Sequence, residues 1–498
     1  MLKIYDTMAR EKRPFIPVNE GKVNMYVCGP TVYNYIHIGN ARTFISFDTI
    51  RRYLIWRGYE VKFVQNVTDV DDKIIKKANE EGRSAAEVAA EYAQAFIDDM
   101  KAAGVMEPDV RPRATEEIGE MIALVEKLIE EGHAYAVEGD VYFAVRSYEK
   151  YGQLSNRNVD EMESGHRELR ADGQGLEDRK RDPLDFALWK AAKPGEPSWE
   201  SPWGQGRPGW HIECSAMSEK YLGLPFDIHG GGADLAFPHH ENERAQSEAA
   251  CGCTFANYWI HGGMLQINHE KMSKSLGNFL LLRDILETTD PRTLRMLMLQ
   301  THYRSPLDFS DERLGEAETA LGRLANFVKN TEWLCQNAAE DTVDFDAAAY
   351  KAAMDAMCDG FIDAMDDDFN TAGALGAVFG FVSEANTMLN NGTVGQDVAE
   401  QVRTGAAMVS DLLGVLGVAL EAAQGGNGEE DAAVIELAAE LAGFTGDTTE
   451  AAIEHLLARR AEARKEKNFA LADAVRDRLG QIGYVVEDTP QGARVSRS

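Results

Sequence analysis

An apolar segment, a helical pattern and a second apolar segment follow one another near the start of the chain, and this order constrains the fold most. Residues 23–27 and 61–67 are segments of strand length that are rich in apolar residues, and residues 41–57 between them carry apolar side chains at helical spacing. A strand, a helix and a strand in this order predict two parallel strands joined by a crossover helix. We therefore expect an α/β fold built on a parallel sheet.

Two short motifs suit the binding of ATP phosphates. The run His37-Ile38-Gly39-Asn40 opens the predicted helix, and the run Lys271-Met272-Ser273-Lys274-Ser275 follows a strand-like segment. A helix N-terminus attracts phosphate, and Gly39 has no side chain to keep a nucleotide away from the backbone. The ammonium groups of Lys271 and Lys274 could neutralise charge on a leaving pyrophosphate. Each run alone could be a helix start or a solvated loop, but together they favour an ATP-dependent reaction.

The charge of the chain limits the ways in which it could bind nucleic acid. Its 498 residues carry a net charge of −31, and residues 312–450 are heavily acidic. Binding to nucleic acid depends largely on neutralising phosphates, so any RNA contact has to be local. The last forty-odd residues offer a basic cluster made of Arg459, Arg460, Arg464, Lys465, Lys467, Arg476, Arg478, Arg494 and Arg497.

The length, the cysteine content and the hydropathy of the sequence limit the class of protein. A chain of 498 residues is expected to form two to four domains. Its six cysteines are scattered and predict no disulfide framework, which favours a reducing cytoplasm. The sequence begins with no signal peptide, and no apolar run approaches the length that spans a membrane. We expect a cytoplasmic protein without membrane contact, and a monomer.

A second set of residues could bind a metal ion. His239 and Glu243 lie four residues apart after Pro238, so both side chains would project from one face of a helix. Together with the distant thiols Cys28 and Cys214 they form a mixed N, O and S set that suits Zn²⁺.

Spacing alone leaves alternatives to this set of ligands. Cys28 and Cys214 could be buried as small apolar residues. His240 is an equal candidate by composition, and the run Cys251-Gly252-Cys253 offers a rival pair of thiols.

Several longer runs resemble the hallmark sequences of the cysteinyl-tRNA synthetases, which are class I aminoacyl-tRNA synthetases. The first motif resembles the H-I-G-H element of that class, with Asn40 in place of the last histidine, and the second resembles its K-M-S-K-S loop. The other matching runs are residues 26–33, 66–73, 209–215, 227–232, 237–243, 303–309 and 368–372. The resemblance covers nearly the whole chain and implies that Zn²⁺ is bound by Cys28, Cys214, His239 and Glu243.

The resemblance also implies the reaction and its participants. The enzyme would join L-cysteine to tRNA at the expense of ATP, with Mg²⁺ accompanying the nucleotide. The implied catalytic residues are His37, Lys271 and Lys274, and the implied ATP-binding residues are Gly39, Asn40 and Lys274. The implied amino-acid site consists of Gly29, Thr68, Trp210, His229 and Asp234. Glu243 carries the hardest of the four ligand atoms, so we expect it to be the most loosely held by the metal.

We expect a Rossmann-like catalytic domain with a short insertion, then an α-helical bundle and a small α+β tail. The two halves of the catalytic domain are expected at residues 1–132 and 206–310, and its parallel sheet is expected to resume near Trp210. The other expected segments are an acceptor-end insertion at 133–205, the bundle at 311–422, a linker and an acidic helix at 423–450, and an anticodon-binding tail at 451–498.

Two alternative functions remain compatible with the sequence. The cysteine ligase of mycothiol synthesis has a related core but couples cysteine to an amino sugar, and it lacks a full anticodon-binding tail. The basic residues from Arg459 to Arg497 therefore favour a tRNA substrate. A non-catalytic zinc-binding or RNA-binding protein on the same core is the second alternative, and the intact phosphate motifs argue against it.

Overall fold

The computed structural model describes residues 1–160, 179–267, 270–271, 279–420, 431–489 and 492–497. In chain order the strands are β1 (Lys3–Asp6), β2 (Glu11–Pro14), β3 (Lys22–Val27), β4 (Glu60–Gln65), β5 (Ala134–Val137), β6 (Asp140–Phe143), β7 (Phe186–Ala191), β8 (Gly206–Pro208), β9 (Phe226–Gly232), β10 (Ala256–Gly262), β11 (Leu265–Ile267), β12 (Glu270–Lys271), β13 (Leu307–Phe309), β14 (Tyr484–Thr489) and β15 (Gly492–Arg497).

The α-helices alternate with these strands at first and form most of the chain after β13. In chain order they are α1 (Ile38–Trp56), α2 (Asp72–Glu81), α3 (Ala85–Ala102), α4 (Ile118–Glu130), α5 (Trp210–Leu222), α6 (Glu241–Cys251), α7 (Leu282–Leu286), α8 (Pro291–Leu299), α9 (Asp311–Gln336), α10 (Ala347–Asp366), α11 (Thr371–Asn391), α12 (Ala399–Val415), α13 (Ala432–Ala442), α14 (Thr449–Lys465) and α15 (Phe469–Gln481).

These elements belong to two units. The first unit comprises Met1–Glu318, Ile362–Leu375 and Val415–Val418, and the second comprises Thr319–Phe361, Gly376–Gly414 and Ala419–Ser498.

The first unit is built on a four-stranded sheet with the order β10-β9-β3-β4, and every neighbouring pair is parallel. Strand β3, helix α1 and strand β4 confirm the predicted strand–helix–strand unit. Parallel strands present their carboxyl ends at one edge of the sheet, and ligands of open parallel sheets bind at that edge. Cys28 follows β3 directly, so the sheet itself brings this thiol to the ligand-binding edge.

The second half of the sheet begins later than the sequence predicts. Trp210 is the first residue of helix α5, and the parallel sheet resumes only with Phe226 in β9. The expectation that the parallel sheet resumes near Trp210 is therefore wrong. The residues that follow Gly209 do not alternate between apolar and polar as a half-buried strand would. Gly209 has an extended backbone and directly precedes the helix.

A separate antiparallel sheet, in the order β5-β6-β7-β8, interrupts the parallel sheet. The fully buried Trp189 of β7 lies in its core together with the apolar side chains of β6. This sheet lies within the predicted insertion at residues 133–205 and extends to Pro208. The polar part of the insertion, residues 161–178, lies outside the described residues.

The predicted helical bundle consists of four helices, α9 to α12. They are rich in alanine and leucine, and their buried side chains include Tyr350, whose hydroxyl donates a hydrogen bond to the carbonyl oxygen of Val402 at 3.1 Å. No helix of the described ranges is both long and apolar enough to span a membrane.

The end of the chain has a small core of its own. Helices α13, α14 and α15 and the hairpin β14–β15 surround Val434, Leu437, Leu456, Val475 and Leu479. The hairpin agrees with the predicted strand-like ends. Helix α13 packs with this group, so the structure differs from the expected boundary at residue 450: the acidic helix belongs to the tail. Residues 421–430 of the expected linker lie outside the described part of the chain.

Candidate functional site

A cavity of about 480 Å³ lies at the carboxyl edge of the parallel sheet. It brings together seven of the predicted site residues, which are Cys28, Gly29, His37, Gly39, Asn40, Trp210 and Asp234. These residues come from three separate parts of the sequence, and the sheet makes them neighbours because β3 and β9 are adjacent and parallel.

The first phosphate motif forms the beginning of helix α1. The Nδ1 atom of His37 accepts a hydrogen bond from the backbone N–H of Asn40 at 3.2 Å, and the side-chain oxygen of Asn40 accepts one from the backbone N–H of His37 at 3.3 Å. This reciprocal pair is a capping box that fixes the first turn of the helix. Asn40 therefore has a structural role in addition to lining the cavity.

Gly29 is required by the close approach of two chain segments. Its N–H donates a hydrogen bond to the side-chain oxygen of Asn66 at 2.8 Å. A Cβ atom at this position would collide with the carbonyl group of Asn66, which is backbone and cannot move aside as a side chain could. Gly29 therefore lines the cavity and also holds the ends of β3 and β4 together.

Arg42 connects helix α1 to the segment that precedes the second phosphate motif. Its guanidinium donates hydrogen bonds to the carbonyl oxygens of Gly263 at 3.0 Å and Met264 at 2.7 Å, and to that of Ser305. Burial lowers the pKa of Arg42 to about 10, and the side chain remains a cation at neutral pH. This contact fixes the position of β11, from which the second motif begins.

The second phosphate motif is only partly described. Lys271 is the last residue of β12, and only its backbone position is described. Lys274 belongs to residues 272–278, which lie outside the described residues. Strand β12 pairs with β11 in antiparallel register.

Cys28, Cys214, His239 and Glu243 form a buried cluster whose ligand atoms all lie within 4.8 Å of one another. The Sγ atoms of Cys28 and Cys214 are 3.7 Å apart, and the Sγ of Cys214 lies 3.6 Å from Nε2 of His239. Oε1 of Glu243 lies 3.4 Å from the Sγ of Cys28 and 3.0 Å from Nε2 of His239.

These separations fit a tetrahedral zinc site. Ordinary zinc–ligand bonds place two sulfurs about 3.8 Å apart, sulfur and nitrogen or oxygen about 3.5 Å apart, and nitrogen and oxygen about 3.3 Å apart. The cluster matches these values, and its soft thiols and borderline imidazole are the ligands that zinc prefers. The four side chains therefore have both the geometry and the chemistry of a zinc centre.

The charges of the cluster are strongly coupled. Burial acts to raise the pKa of the Cys214 thiol, but hydrogen bonds with Cys28 and His239 outweigh it and lower this pKa to about 6. Burial and the neighbouring Cys214 raise the pKa of Cys28 well above its usual value. Burial acts against a charge on His239, but Glu243 and Cys214 outweigh it and raise the pKa of the imidazole to about 10.

An overlapping set of ligands has His229 and His240 in place of Cys214 and His239. Cys28, His229, His240 and Glu243 also have their ligand atoms within 4.8 Å of one another. In this set His229 Nε2 lies 2.7 Å from Oε2 of Glu243, and Nδ1 of His240 lies 2.8 Å from Nε2 of His261. It offers one thiol instead of two, so the set with Cys214 and His239 suits zinc better.

Cys251 and Cys253 do not belong to either set of possible ligands. They form a disulfide with each other at the end of α6. The sequence predicted no disulfide framework, and it offered these two cysteines as a rival pair of thiols for the metal; the structure joins them in a local disulfide across Gly252 and leaves Cys28, Cys214, Cys335 and Cys358 free.

The structure separates the predicted amino-acid site into two groups. Trp210 and Asp234 line the cavity, and the indole of Trp210 stacks on the imidazole of His239 with ring centres 4.2 Å apart. Thr68 and His229 are buried and are not among the described residues that line the cavity. The hydroxyl of Thr68 donates to Glu213 at 2.7 Å, and His229 contacts Glu243.

Some residues of this site were not singled out from the sequence. Tyr33 and Lys73 line the cavity, and the Nδ1 atom of His211 lies 2.9 Å from that of His239. A contact of this kind orients a metal-binding imidazole. All three residues lie within the family-like runs, which were the signal that could have identified them.

Comparisons with known proteins agree with this geometry. The model of the tRNA synthetases class I (C) catalytic domain matches residues 14–319, and a DALR domain matches residues 360–421. The cysteinyl-tRNA ligase anticodon binding domain matches residues 447–495. A relative named cysteine–tRNA ligase from Desulforamulus reducens is 48% identical over 496 residues, which cover 99% of both chains. The chain belongs to the cysteine–tRNA ligase family.

Two further matches support the family and the fold. A cysteine–tRNA ligase from Symbiobacterium thermophilum is 49% identical over 498 residues, with 100% of each chain covered. A solved structure of Mycobacterium tuberculosis methionyl-tRNA synthetase in complex with methionyl-adenylate matches with a TM-score of 0.59. That match has 16% identity and covers 79% of this chain and 90% of the other, so it shows the class I fold alone. The family and the fold thus confirm the resemblance drawn from the motifs.

Proposed function

We propose that this enzyme is a cysteine–tRNA ligase that activates L-cysteine with ATP and transfers it to the 3′ end of tRNA. The observation that carries the proposal is a cavity lined both by the His37–Asn40 helix start and by Cys28, which belongs to a buried, thiol-rich metal cluster. A nucleotide-binding helix end without the thiols would suit any class I synthetase. The adjacent cluster adds the means to recognise a thiol.

The phosphates of ATP bind at the start of α1 and are held from the other side by the K-M-S-K-S loop. His37, Gly39 and Asn40 face the cavity at the positive end of the helix dipole. Lys271 and Lys274 neutralise the charge that develops on the pyrophosphate as it leaves, and Mg²⁺ accompanies the ATP. Catalysis rests mainly on positioning and on charge stabilisation.

Cys28, Cys214, His239 and Glu243 bind one zinc ion, as their distances and donor atoms support. When bound, zinc lowers the pKa of a substrate thiol and binds its thiolate far better than a hydroxyl or a methyl group. Shape alone would distinguish cysteine from serine or alanine by roughly 10- to 200-fold, because the side chains differ so little in size. The thiols of this cluster thus explain why the site can select cysteine.

The remaining residues of the amino-acid site hold the rest of the substrate. Trp210 forms a wall beside the metal cluster, and Asp234 is exposed in the cavity, where a carboxylate can bind the substrate ammonium. Gly29 provides backbone close to the metal cluster. Thr68 and His229 act from beneath this surface, with His229 supporting Glu243.

We assign tRNA binding to the insertion and to the tail. The insertion around residues 133–205 receives the acceptor end, and the tail from residue 451 onward binds the anticodon end. Within the tail Arg459 pairs with Glu462 at 2.7 Å and Arg478 pairs with Glu440 at 2.9 Å. Lys465 and Lys467 are exposed and supply a local basic contact. We further propose that the enzyme is a cytoplasmic monomer.

A cysteine-dependent ATP–pyrophosphate exchange assay tests the activation step. Exchange that depends on cysteine excludes a non-catalytic zinc-binding or RNA-binding protein. Charging of tRNA then excludes the ligation of cysteine to an amino sugar, which the family comparisons already disfavour. Absence of exchange in the zinc-loaded chain would contradict the proposal.

A matched pair of variants tests the metal ligands. Cys214→Ser should lose zinc by elemental analysis, because removal of a soft thiolate weakens a mixed zinc site sharply. A Cys251→Ser, Cys253→Ser double variant removes the disulfide outside the cluster and should retain one zinc per chain. Undiminished zinc in Cys214→Ser would show that the ligand assignment is wrong.

A further inference from the structure

Lys73 places a positive charge inside the cavity. It is the second residue of α2, its side chain is exposed, and it lines the cavity beside Tyr33 and Trp210. Its ammonium lies 5.4 Å from the ring centre of Tyr33 and 5.9 Å from that of Trp210. Among the described residues that line this cavity, Lys73 is the only lysine or arginine.

The acidic residues near Lys73 in sequence are occupied elsewhere. Asp69 accepts hydrogen bonds from the backbone and the hydroxyl of Thr115, and Asp71 caps α2 through the backbone N–H of Lys73. Asp72 pairs with Lys190 and with Arg207. No carboxylate of the described residues lies within 4.0 Å of the Lys73 ammonium. The charge of Lys73 is therefore available to an anionic ligand in the cavity.

Trp210 links Lys73 to the metal cluster. The same indole that lies 5.9 Å from the Lys73 ammonium stacks on the metal ligand His239 at 4.2 Å. An amino acid bound to the cluster through its thiol carries its carboxylate about 4 Å from the sulfur, judged from standard bond lengths. The flexible lysine side chain can reach a carboxylate at that position beside Trp210.

We propose that Lys73 binds the α-carboxylate of the amino-acid substrate before adenylation. This inference rests on the proposed function and adds a substrate-binding residue to it. Lys73 holds one carboxylate oxygen, while the other attacks the α-phosphorus of ATP and pyrophosphate leaves with the bonding electrons. The positive charge also reduces repulsion between the carboxylate and the phosphates.

Isothermal titration of the zinc-loaded full-length chain with L-cysteine and with cysteamine tests this role. Cysteamine keeps the thiol and the amine but lacks the carboxylate. We expect Lys73→Ala to weaken cysteine binding about 10- to 100-fold, the scale of one charge-assisted hydrogen bond, and to leave cysteamine binding unchanged or stronger. Lys73→Arg should retain most of the affinity for cysteine, because it keeps the charge.

Lys76→Ala is the matched control. Lys76 lies on the same helix, is exposed, and its ammonium is 3.9 Å from Glu80. It does not line the cavity, so this variant should bind both ligands as the unchanged protein does. Equal weakening of cysteine and cysteamine in Lys73→Ala would show that Lys73 only supports Trp210, and this would overturn the proposal.

Two other outcomes would also overturn it. A raised KM for ATP with unchanged cysteine binding would place Lys73 on the phosphates, and a raised KM for tRNA alone would place it on RNA. If the unchanged protein binds no cysteine, the proposed function fails, and the role of Lys73 fails with it. If the unchanged protein binds cysteine better than cysteamine and Lys73→Ala shows the same preference by the same factor, the proposed function stands and only the role of Lys73 fails.

Discussion

Zinc binding to the metal-free chain should release about two protons at pH 7, because zinc ligands must give up their protons. Burial raises the pKa of Cys28 well above its usual value, so this thiol is protonated at pH 7. The pKa of His239 is raised to about 10, mainly by Glu243 acting against burial, so this imidazole is protonated too. The Cys214 thiol has a pKa lowered to about 6 and is mostly ionised already.

The directions of these pKa shifts determine how the affinity for zinc changes with pH. Each proton released on binding makes the zinc association constant rise tenfold per pH unit, so two protons give about a hundredfold per unit. This increase should hold from pH 7 to about 9, below the raised pKa values of Cys28 and His239. Below pH 6 the Cys214 thiol is protonated as well, and the dependence should become steeper.

Calorimetry in buffers of different ionisation enthalpy measures this proton release. The observed binding enthalpy falls as the buffer ionisation enthalpy rises, and the slope is minus the number of protons released, because the buffer takes up those protons. Cys28→Ala should reduce this number to about one, whereas Cys335→Ala, which removes a buried thiol outside the cluster, should leave it at about two. A slope near zero for the unchanged protein would refute the assigned ligands or their charges.

Three further predictions follow from particular residues. Asp48→Ala should lower the free energy of unfolding by about 3–5 kcal/mol in urea denaturation, because it leaves Arg295 buried without its 2.7 Å partner. Lys274→Ala should slow single-turnover adenylate formation about a hundredfold without weakening cysteine binding, since its charge matters most where phosphate charge develops. A chain that ends at residue 431 lacks the whole tail core and should keep pyrophosphate exchange but show a raised KM for tRNA.

Each of these predictions has an outcome that contradicts it. Asp355→Ala removes an exposed partner of Lys351 and should cost less than about 1 kcal/mol, so equal effects at Asp48 and Asp355 would refute the argument from burial. Normal adenylation by Lys274→Ala would remove Lys274 from the catalytic residues. Equal loss of exchange and charging in the shortened chain would show that the tail is structural.

The sequence predicted the parallel sheet well because its signal is local. The apolar runs that became β3 and β4 and the helical pattern of α1 need no information from distant residues. The return of the sheet was expected near Trp210 and not at Phe226, because a residue at the boundary of an element carries little periodic signal. The packing of α13 with the tail was missed as well, since it depends on side chains far apart in the sequence, such as Val434 and Leu479, that share the tail core.

The site was predictable in its residue types but not in its geometry. The motifs indicated Cys28, Cys214, His239 and Glu243, yet only the structure shows that Nε2 of His239 lies 3.0 Å from Oε1 of Glu243, whereas Nε2 of His240 lies 4.0 Å from the same atom. The sequence favoured a loosely held Glu243. The structure shows it fully buried between two histidines, His229 and His239, which lower its pKa well below the usual value despite burial.

The measurement that tests the central claim most directly is the ratio of kcat/KM for cysteine and serine in pyrophosphate exchange by the zinc-loaded chain. Selection by a metal that binds the thiolate predicts a ratio far above the roughly 10- to 200-fold that pocket shape can provide. In Cys214→Ser the activity with cysteine should fall towards that with serine. A ratio within the range of shape selection, or one that survives the loss of zinc, would contradict the account.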